Sequence, residues 1–492
     1  MPEDALKLGF PHWIGITHYI NLIFITLLIR SGIQILAQHP RLYFNDHCTP
    51  GSEWLKFTKN KVPTDRYWTS LDEAVKVSPW IALPGGRENL GLGRHWHFFS
   101  VIFWILNGLT YIILLFFTGN WRRLIPTSWD VFPKAWETFL TYATFHLPPL
   151  SNFQPYDPLQ QLVYAVVVFV MAPLTILTGA AMSPALAARF PWYPHLFGGR
   201  QTARSLHFIL LVGYLIFLVI HVSLVIIVDF PLNMGHIVLG SEDRTLAIVL
   251  GLFGLLIVFA IHVFATKFSQ KHPRKVQVIT GALTDKVMSF LFYNLKSHQE
   301  YGKEKISPYF WVNGQLPKTE EWQNHVKSSF VDWKLEIIGL VEQPLQLSLA
   351  DLKAMPKKNQ ITEHVCIQGW SGFAEWGGVE LNTILKMCKP QPEARYLVFH
   401  SYQIQDNGIP FYGTLTIQES KHPQTIIAYE MNNKPLPLPH GAPIRLRVET
   451  KLGFKMTKWL KSIELVDNID KVGLGYGGWR EDYQYYGTGA EI

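Results

Sequence analysis

The sequence predicts a membrane all-α bundle of five transmembrane helices followed by a soluble, β-rich α+β domain. Three observations carry this. Charged residues make up only 16% of the 492 residues and apolar residues 48%, against about 25% charge in an ordinary soluble domain. The depletion is local: Leu8–Ile29, Gly108–Trp121, Pro158–Ala188, Ser205–Val228 and Thr245–Thr266 contain no Asp, Glu, Lys or Arg. After Lys267 the composition turns to that of a soluble domain, with short apolar runs broken by Gly, Pro and Asn.

A spanning helix needs about 20 apolar residues. The segments 14–36, 96–118, 159–182, 205–228 and 245–266 meet that length. Pro173 and Gly179 predict a kink in the third. Trp121, Trp129, Trp136, Trp192 and Tyr193 fall near the predicted interfaces, where amphipathic rings settle. The start, MPEDALKLGF, has neither a twin-arginine nor a cleavable-signal pattern, so the first span is expected to stay as an anchor. Residues 1–270 are thus expected to form the membrane domain, 271–305 a linker with some helix, and 306–492 the soluble domain. In that last region LEIIGLV, YLVFHSY, TIIAYEM, IRLRVET and SIELVD read as strands.

Three cysteines, Cys48, Cys366 and Cys388, show no CxxC pair and no metal-finger spacing, which argues against a disulfide scaffold. The net charge of +7 fits loops beside anionic lipid headgroups, so no nucleic-acid partner is expected.

Ionisable side chains inside a bilayer are costly and usually functional. The fourth span carries His207 and His221, fourteen residues apart. At about 100° per residue the two rings face nearly the same way, and they lie about 21 Å apart in depth. His18 and His97 sit near the starts of the first two spans, which run antiparallel, so they lie near opposite surfaces. The depths then pair His97 with His207 and His18 with His221. Each pair can hold one iron through two neutral imidazoles, as in an electron-transferring b haem, with no axial position left for a substrate. For any one of these histidines, a helix-end ring satisfied by water or backbone is the competing reading; four at matched depths favour ligation. His95 is the nearest competitor of His97. His12 and His262 read as interfacial or structural. Arg94, Arg200 and Arg204 lie at the His97/His207 depth and suit either haem propionates or headgroups.

The stretches THYINLIFITLLIRSGIQI, LGRHWHFF, YDPLQQLVY with PLTILTGAAMSP, and ARSLHFILLVGYLIFLVIHV resemble the membrane cytochrome b subunits of nickel–iron hydrogenases, formate dehydrogenase and thiosulfate reductase, over about residues 10–230. That resemblance implies a di-haem cytochrome b that exchanges electrons with quinone or quinol, with haem ligands at His18, His97, His207 and His221.

The soluble domain contains ITEHVCIQGWSGFAEWGGVEL, which reads as a strand leading into Cys366 and then a Gly- and Trp-rich turn. A lone cysteine there can be a nucleophile, a metal ligand or a buried residue. Further on, AYEMNNKPLPLPHGAPIRLRV and KLGFKMTKWLKSIELV combine rigid turns with Arg445, Lys455 and Lys458. Turn N–H groups plus fixed cations suit a phosphate, and a basic surface edge is the plain alternative. Together the three segments resemble the molybdenum-cofactor domain of the sulfite oxidase family, in particular the branch with bacterial protein-methionine-sulfoxide reductase, over about 306–492. The resemblance implies molybdenum bound by the Cys366 thiolate, a soft ligand suited to that metal. It also implies a molybdopterin held by His440, Arg445, Lys455, Met456, Thr457 and Lys458, with Ser401, Tyr309 and Asn313 as looser matches. Where sulfite oxidases tend to carry a basic Asn-Arg run after the cysteine, this chain has IQGWSG, which puts sulfite as substrate in doubt. Cys388 reads as structural.

The fusion implies a respiratory, membrane-bound molybdopterin oxidoreductase that passes electrons between quinone and an oxo-transfer site through two b haems. Reduction of a small S-oxide or N-oxide is favoured. A sulfite-oxidising dehydrogenase feeding quinone, or a non-catalytic electron-transfer subunit docking a partner enzyme, are the alternatives, and a homodimer is left open. The spans place Lys7, Arg122, Arg123, Lys134 and Arg244 on one side and sixteen Lys or Arg on the other. The positive-inside rule then puts the C-terminal domain in the cytoplasm of a bacterial inner-membrane protein. The cytochrome resemblance, with its usual cytoplasmic N-terminus, implies the periplasm instead.

Overall fold

The computed structural model describes residues 10–144, 146, 156–240, 243–292 and 298–487. The N-terminal residues read for a signal, Lys7 among them, lie outside these. So does part of the loop between the second and third spans. The chain forms two compact units that interleave in sequence. One comprises Met1–Gly32, Trp96–Ala180 and Leu206–Lys271, the other Ile33–His95, Ala181–Ser205 and His272–Ile492.

Among the described residues five helices are long and apolar enough to cross a membrane: α1 (His12–Leu36), α2 (Leu90–Phe117), α3 (Pro158–Ala181), α4 (Arg200–Leu239) and α5 (Arg244–Lys271). Their apolar side chains face outward: Ile113, Val219 and Phe253 are each at least 60% exposed. An apolar surface of that extent needs hydrocarbon around it. Between helices, packing relies on small residues and neutral hydrogen bonds. A Cβ at Gly254 would meet the Tyr19 ring at 2.6 Å. The Tyr19 hydroxyl donates to the Gly251 carbonyl at 3.2 Å, and Trp104 donates to Asn21 Oδ1 at 2.9 Å. Close backbone approach and neutral partners are the usual glue inside lipid.

The third and fourth spans depart from regularity where proline dictates. In α3 a π turn at Val167–Met171 precedes Pro173 and absorbs its missing N–H. The fourth span runs past the expected end at 228. The helix breaks at Asp229 (φ −166°, ψ 86°) ahead of Pro231, and Asp229 Oδ1 accepts the Leu232 N–H at 3.0 Å. The proline therefore restarts the helix rather than ending it. The stretch read as a linker holds α6 (Pro273–Phe292), begun by a proline at its first position.

The second unit is built on two sheets. The first contains β3 (Lys357–Val365), β4 (Ser371–Glu380) and β7 (Thr425–Met431) in that order, with β8 (Arg445–Val448) also paired to β7. The second runs β2 (Leu345–Ser348), β1 (Lys334–Gly339), β9 (Leu460–Val466), β5 (Tyr396–Ile404), β6 (Pro410–Thr416). Only the β1–β9 pair in it is parallel. Trp333, Leu335, Phe399, Ile427, Leu446 and Trp459 belong to one core cluster. The Gly- and Trp-rich turn expected after Cys366 is short; from Ser371 it becomes the almost wholly buried strand β4. Its glycines answer crowding: a Cβ at Gly378 would lie 2.2 Å from the Ile427 carbonyl oxygen.

Residues 33–95 form a polar layer of this second unit, anchored on a buried charge cluster. Arg41 pairs with Glu73 at 2.7 Å and Glu53 at 2.6 Å and donates to the Asn60 carbonyl at 2.7 Å. Deleting one partner of such a buried pair strands the other charges and costs about 3–5 kcal/mol. Arg41→Ala is therefore expected to lower the thermal unfolding temperature of the detergent-solubilised protein markedly, while Lys56→Ala at the exposed rim does not. Equal melting of the Arg41 variant and the parent would remove this layer's structural role.

Candidate functional site

Within the membrane unit, the His18 and His221 rings face each other with centroids 6.1 Å apart and planes at 64°. Two imidazoles on one metal, each bonded at about 2 Å, place their centroids roughly 6 Å apart. This pair fits the axial ligands of a haem. Tyr164 OH lies 3.0 Å from His221 Nδ1, and Phe217 stacks on the same ring at 5.4 Å. His97 Nδ1 lies 3.1 Å from Ser31 Oγ, and His207 Nδ1 lies 3.1 Å from Thr178 Oγ1. In three of the four expected ligands, then, Nδ1 is held by a hydroxyl from another helix. That is how metal-bound imidazoles are usually oriented.

His262 differs, whereas His95 shares the arrangement, with a hydroxyl at its Nδ1 and with Gly281 so near that a Cβ there would lie 3.8 Å from its Cε1. Thr26 Oγ1 donates to the Leu22 carbonyl at 2.5 Å, so at 2.8 Å it accepts from His262 Nε2. His262 Nδ1 in turn accepts from Arg30 at 2.8 Å. Both nitrogens of His262 are committed, which is the structural role expected for it. His95 belongs to the second unit, where its Nδ1 meets Thr280 Oγ1 at 3.0 Å.

In the second unit Cys366 directly follows β3 and is 2% exposed. Its N–H donates to the Trp370 carbonyl at 3.0 Å and its own carbonyl accepts from Gly369 at 3.0 Å, closing a tight loop. Asn313 Nδ2 donates to Cys366 Sγ at 3.0 Å. Ser70, from the layer between the first two spans, donates to Asn313 Oδ1 at 2.7 Å and also meets the Gln368 side chain. Burial pushes the Cys366 thiol up to about 11, and a bound cation would reverse that and hold the thiolate. Around it lie Tyr43, Cys48, Trp311 and Trp370, with Tyr309 against them.

The later motifs converge on the same place. Lys458 Nζ donates to the carbonyls of Asn313 and of Pro439, the latter at 2.7 Å. Ser401 Oγ donates to the Lys458 carbonyl at 2.7 Å. Arg445 donates to the carbonyls of His440 at 3.1 Å and Met456 at 3.4 Å, and its Nε and the Thr457 hydroxyl are buried without a partner. Arg447 is neutralised by Glu449 at 2.7 Å. Among the described residues Arg445 and Lys458 have no carboxylate of their own. Each is pushed well below its usual value by burial and by a neighbouring arginine, and His440 is lowered to about 3 by burial, Lys458 and Arg445. Buried cations without counter-charge are costly, and an anion among them removes the cost. This donor set therefore fits a phosphate-bearing pterin. Lys455 differs from its expected role: its ammonium is committed to Glu481 at 2.6 Å and the Gly477 carbonyl at 2.7 Å, so its charge is already balanced.

Arg200 and Arg204, expected near propionates or headgroups, serve this loop. Arg204 donates to the carbonyls of Arg41 and His39, both at 2.7 Å, and lies over Gly369. Arg200 sits 3.7 Å from Glu363. Gln201 donates to the Gly369 carbonyl at 2.9 Å. Sequence reasoning missed Ser70, Gln201 and Gln368, and also His39, a fully buried ring between Tyr43 and Trp311 with neither nitrogen bonded. No local motif marks them.

Residues 9–238 match the prokaryotic cytochrome b561 family, and residues 322–471 match the oxidoreductase molybdopterin-binding domain. The catalytic subunit MsrP of protein-methionine-sulfoxide reductase from Campylobacter jejuni is 35% identical over 151 residues, 28% of this chain and 51% of its own. Its counterpart in Xanthomonas campestris is 33% identical over 147 residues, 28% of this chain and 46% of its own. The YedZ1 protein of Azospira oryzae, provisionally named a subunit of that reductase, is 31% identical over 153 residues, 31% of this chain and 54% of its own. The chain thus spans about half the length of these curated relatives. Among solved structures, the sulfane dehydrogenase SoxCD of Paracoccus pantotrophus matches 30% of this chain and 40% of its own at 22% identity, with a TM-score of 0.26.

The histidine geometry makes a sharp distinction. His207→Ala is expected to remove one haem and leave about half of the b-type absorbance, because a haem with two protein ligands depends on both. His262→Ala is expected to keep the full spectrum. Pyridine haemochrome analysis of purified variants reads both, and full absorbance in the His207 variant would refute its role as ligand.

Proposed function

We propose, from a chain that joins a prokaryotic cytochrome b561 domain to a molybdopterin-binding oxidoreductase domain, that this protein is a membrane-bound enzyme coupling quinol to the reduction of a small S-oxide or N-oxide. One turnover then takes two electrons and two protons from the quinol, and the oxide oxygen leaves as water. The observation that carries the reading is a buried Arg445 and a half-buried Lys458 without a carboxylate among the described residues, with Lys458 joined through Asn313 to a buried cysteine.

When bound, the molybdenum cofactor supplies oxo transfer and two-electron chemistry. The chain's own residues do the rest. Cys366 offers the soft ligand, and the Asn313 amide fixes its sulfur. Arg445, Lys458 and His440, with the Thr457 hydroxyl and the Met456–Lys458 backbone, hold the anionic end of the pterin. Ser401 braces Lys458 from behind. The histidine pairs His18/His221 and His97/His207 hold two b haems for single electrons.

The segment after Cys366 lacks the basic run that the sulfite oxidase resemblance expects. Ile367 to Gly372 carries no cation of its own, Gln368 faces Ser70, and the cations bearing on Cys366, Arg200 and Arg480, come from other elements. The MsrP relatives are named for a sulfoxide substrate, which favours an S-oxide over sulfite oxidation. The excess of Lys and Arg on one side of the spans supports a cytoplasmic C-terminal domain. An active alkaline-phosphatase fusion at the C-terminus would reverse that side without touching the chemistry.

The test is viologen-linked turnover with methionine sulfoxide, other S-oxides, N-oxides and sulfite, with molybdenum measured on the same sample. Cys366→Ser is expected to fall to background with its haem spectrum intact. Asn313→Ala, which removes only the donor to sulfur, is expected to lose about 10–100-fold. Haem without molybdenum in the purified full chain would favour the electron-transfer-subunit reading instead.

A further inference from the structure

We infer that two hydroxyl–glycine pairs, Ser31–Gly32 in α1 and Thr178–Gly179 in α3, are positioning residues that orient His97 and His207 and tune the haem they share. This rests on the reading of those histidines as ligands of one b haem.

The argument starts from a proton count. A hydroxyl has one hydrogen to give. Ser31 Oγ donates it within its own helix, to the Leu27 carbonyl at 2.7 Å or the Leu28 carbonyl at 3.1 Å. Thr178 Oγ1 does the same toward Leu174 at 2.7 Å or Thr175 at 3.2 Å. Each hydroxyl lies nearer its own helix's carbonyl, at 2.7 Å, than the ring nitrogen, at 3.1 Å, so its hydrogen is assigned to the carbonyl. The oxygen then accepts from the histidine opposite, and Nδ1 of His97 and of His207 carries the proton. Nε2 is then the nitrogen with the lone pair, the tautomer a metal requires. At His262 the same count puts the proton on Nε2, the wrong tautomer for ligation through that atom.

The glycines complete the device. A Cβ at Gly32 would touch His97 Cε1 at 3.6 Å, and one at Gly179 would touch His207 Cε1 at 3.5 Å. The ring lies edge-on against the backbone just after the hydroxyl. Alanine just fits there, and a branched side chain does not. The same order of hydroxyl then glycine stands against His97 and His207 with matching distances, and Thr280–Gly281 in α6 meets His95 alike, so the device marks an oriented ring and the ligand role comes from the pairing. Ser31 and Thr178 are 0% and 1% exposed, so no water stands in for them.

An N–H donated to an acceptor makes the imidazole a more basic ligand, which stabilises the oxidised iron. Losing the acceptor should raise the midpoint potential of that haem, more for Ser31 than for Thr178, since the Thr175 carbonyl also accepts from His207. The full chain in membranes is titrated potentiometrically, with low-spin ferric signals followed by electron paramagnetic resonance. Ser31→Ala and Thr178→Ala are each expected to raise the midpoint of the same haem and shift its signal, the double variant further, with the other haem unmoved. Ser31→Thr and Thr178→Ser are expected to restore the parent values. Gly32→Ala and Gly179→Ala should keep that haem, and Gly32→Val and Gly179→Val should lose it. Haems that stay put in both alanine variants while His97→Ala and His207→Ala each remove the same haem would overturn this inference alone, and shifts on different haems would overturn the pairing beneath it. Retention of both haems in the two histidine variants would overturn the ligand reading beneath it.

Discussion

A buried polar atom must be matched, and in the membrane unit that constraint falls on histidine nitrogens. Hydrocarbon offers no water to repair a wrong choice, so each ring is fixed by what its neighbours can give or take. His262 has both nitrogens spoken for by Thr26 and Arg30, and it locks α1 to α5. His97 and His207 have one nitrogen fixed by a spent hydroxyl. His221 has one held by Tyr164, and its ring stands opposite His18. The helices can be built almost wholly from apolar residues because a few such commitments define which faces meet.

The same rule, applied to charge, shapes the second unit. Arg447 has Glu449, Lys455 has Glu481 and Arg41 has two glutamates. Arg445 and Lys458 have only carbonyls. A fold that gives these cations carboxylates and leaves Arg445 and Lys458 side by side with carbonyls alone is one that suits an anion at that pair. Asn313 ties that place to Cys366, its carbonyl facing Lys458 and its amide facing the sulfur. Phe310 packs edge-on against Trp370, Trp376 and His440, which ties the strandless stretch around it to this site.

Much of this was legible in the chain. The spans follow from runs without charge, and the histidine depths follow from helical rise and alternation of direction. All five strands read from apolar runs are present as β1, β5, β7, β8 and β9. What was illegible has a common cause. Ser31 and His97 are 66 residues apart, and Ser70 and Asn313 are 243 apart; a serine in an apolar run or a polar loop looks like any other. The fourth span reads as closing at 228, yet the helix resumes at Pro231 after the break at Asp229, and the glycines of β4 read as a turn and are relief for a strand pressed against its neighbour. Arg200 and Arg204 were read by depth alone, which cannot say that their helix begins inside the other unit, capped by Asp46 at the Gln201 N–H.

The choice of a hydroxyl to hold a ligand histidine follows from where the ring lies. A carboxylate would be the stronger acceptor and would fix the tautomer as well, but it would have to keep its charge in low dielectric. A serine or threonine on a helix needs no such compensation. Its hydrogen already has a carbonyl one turn back, so the oxygen is a neutral acceptor whose direction the helix itself sets. Glycine as the next residue lets the ring come to that oxygen without a side chain in between. The arrangement gives up some ligand basicity for neutrality, and it can be written into an apolar span by two small residues, which is why α1 and α3 carry it without losing the hydropathy that makes them spans.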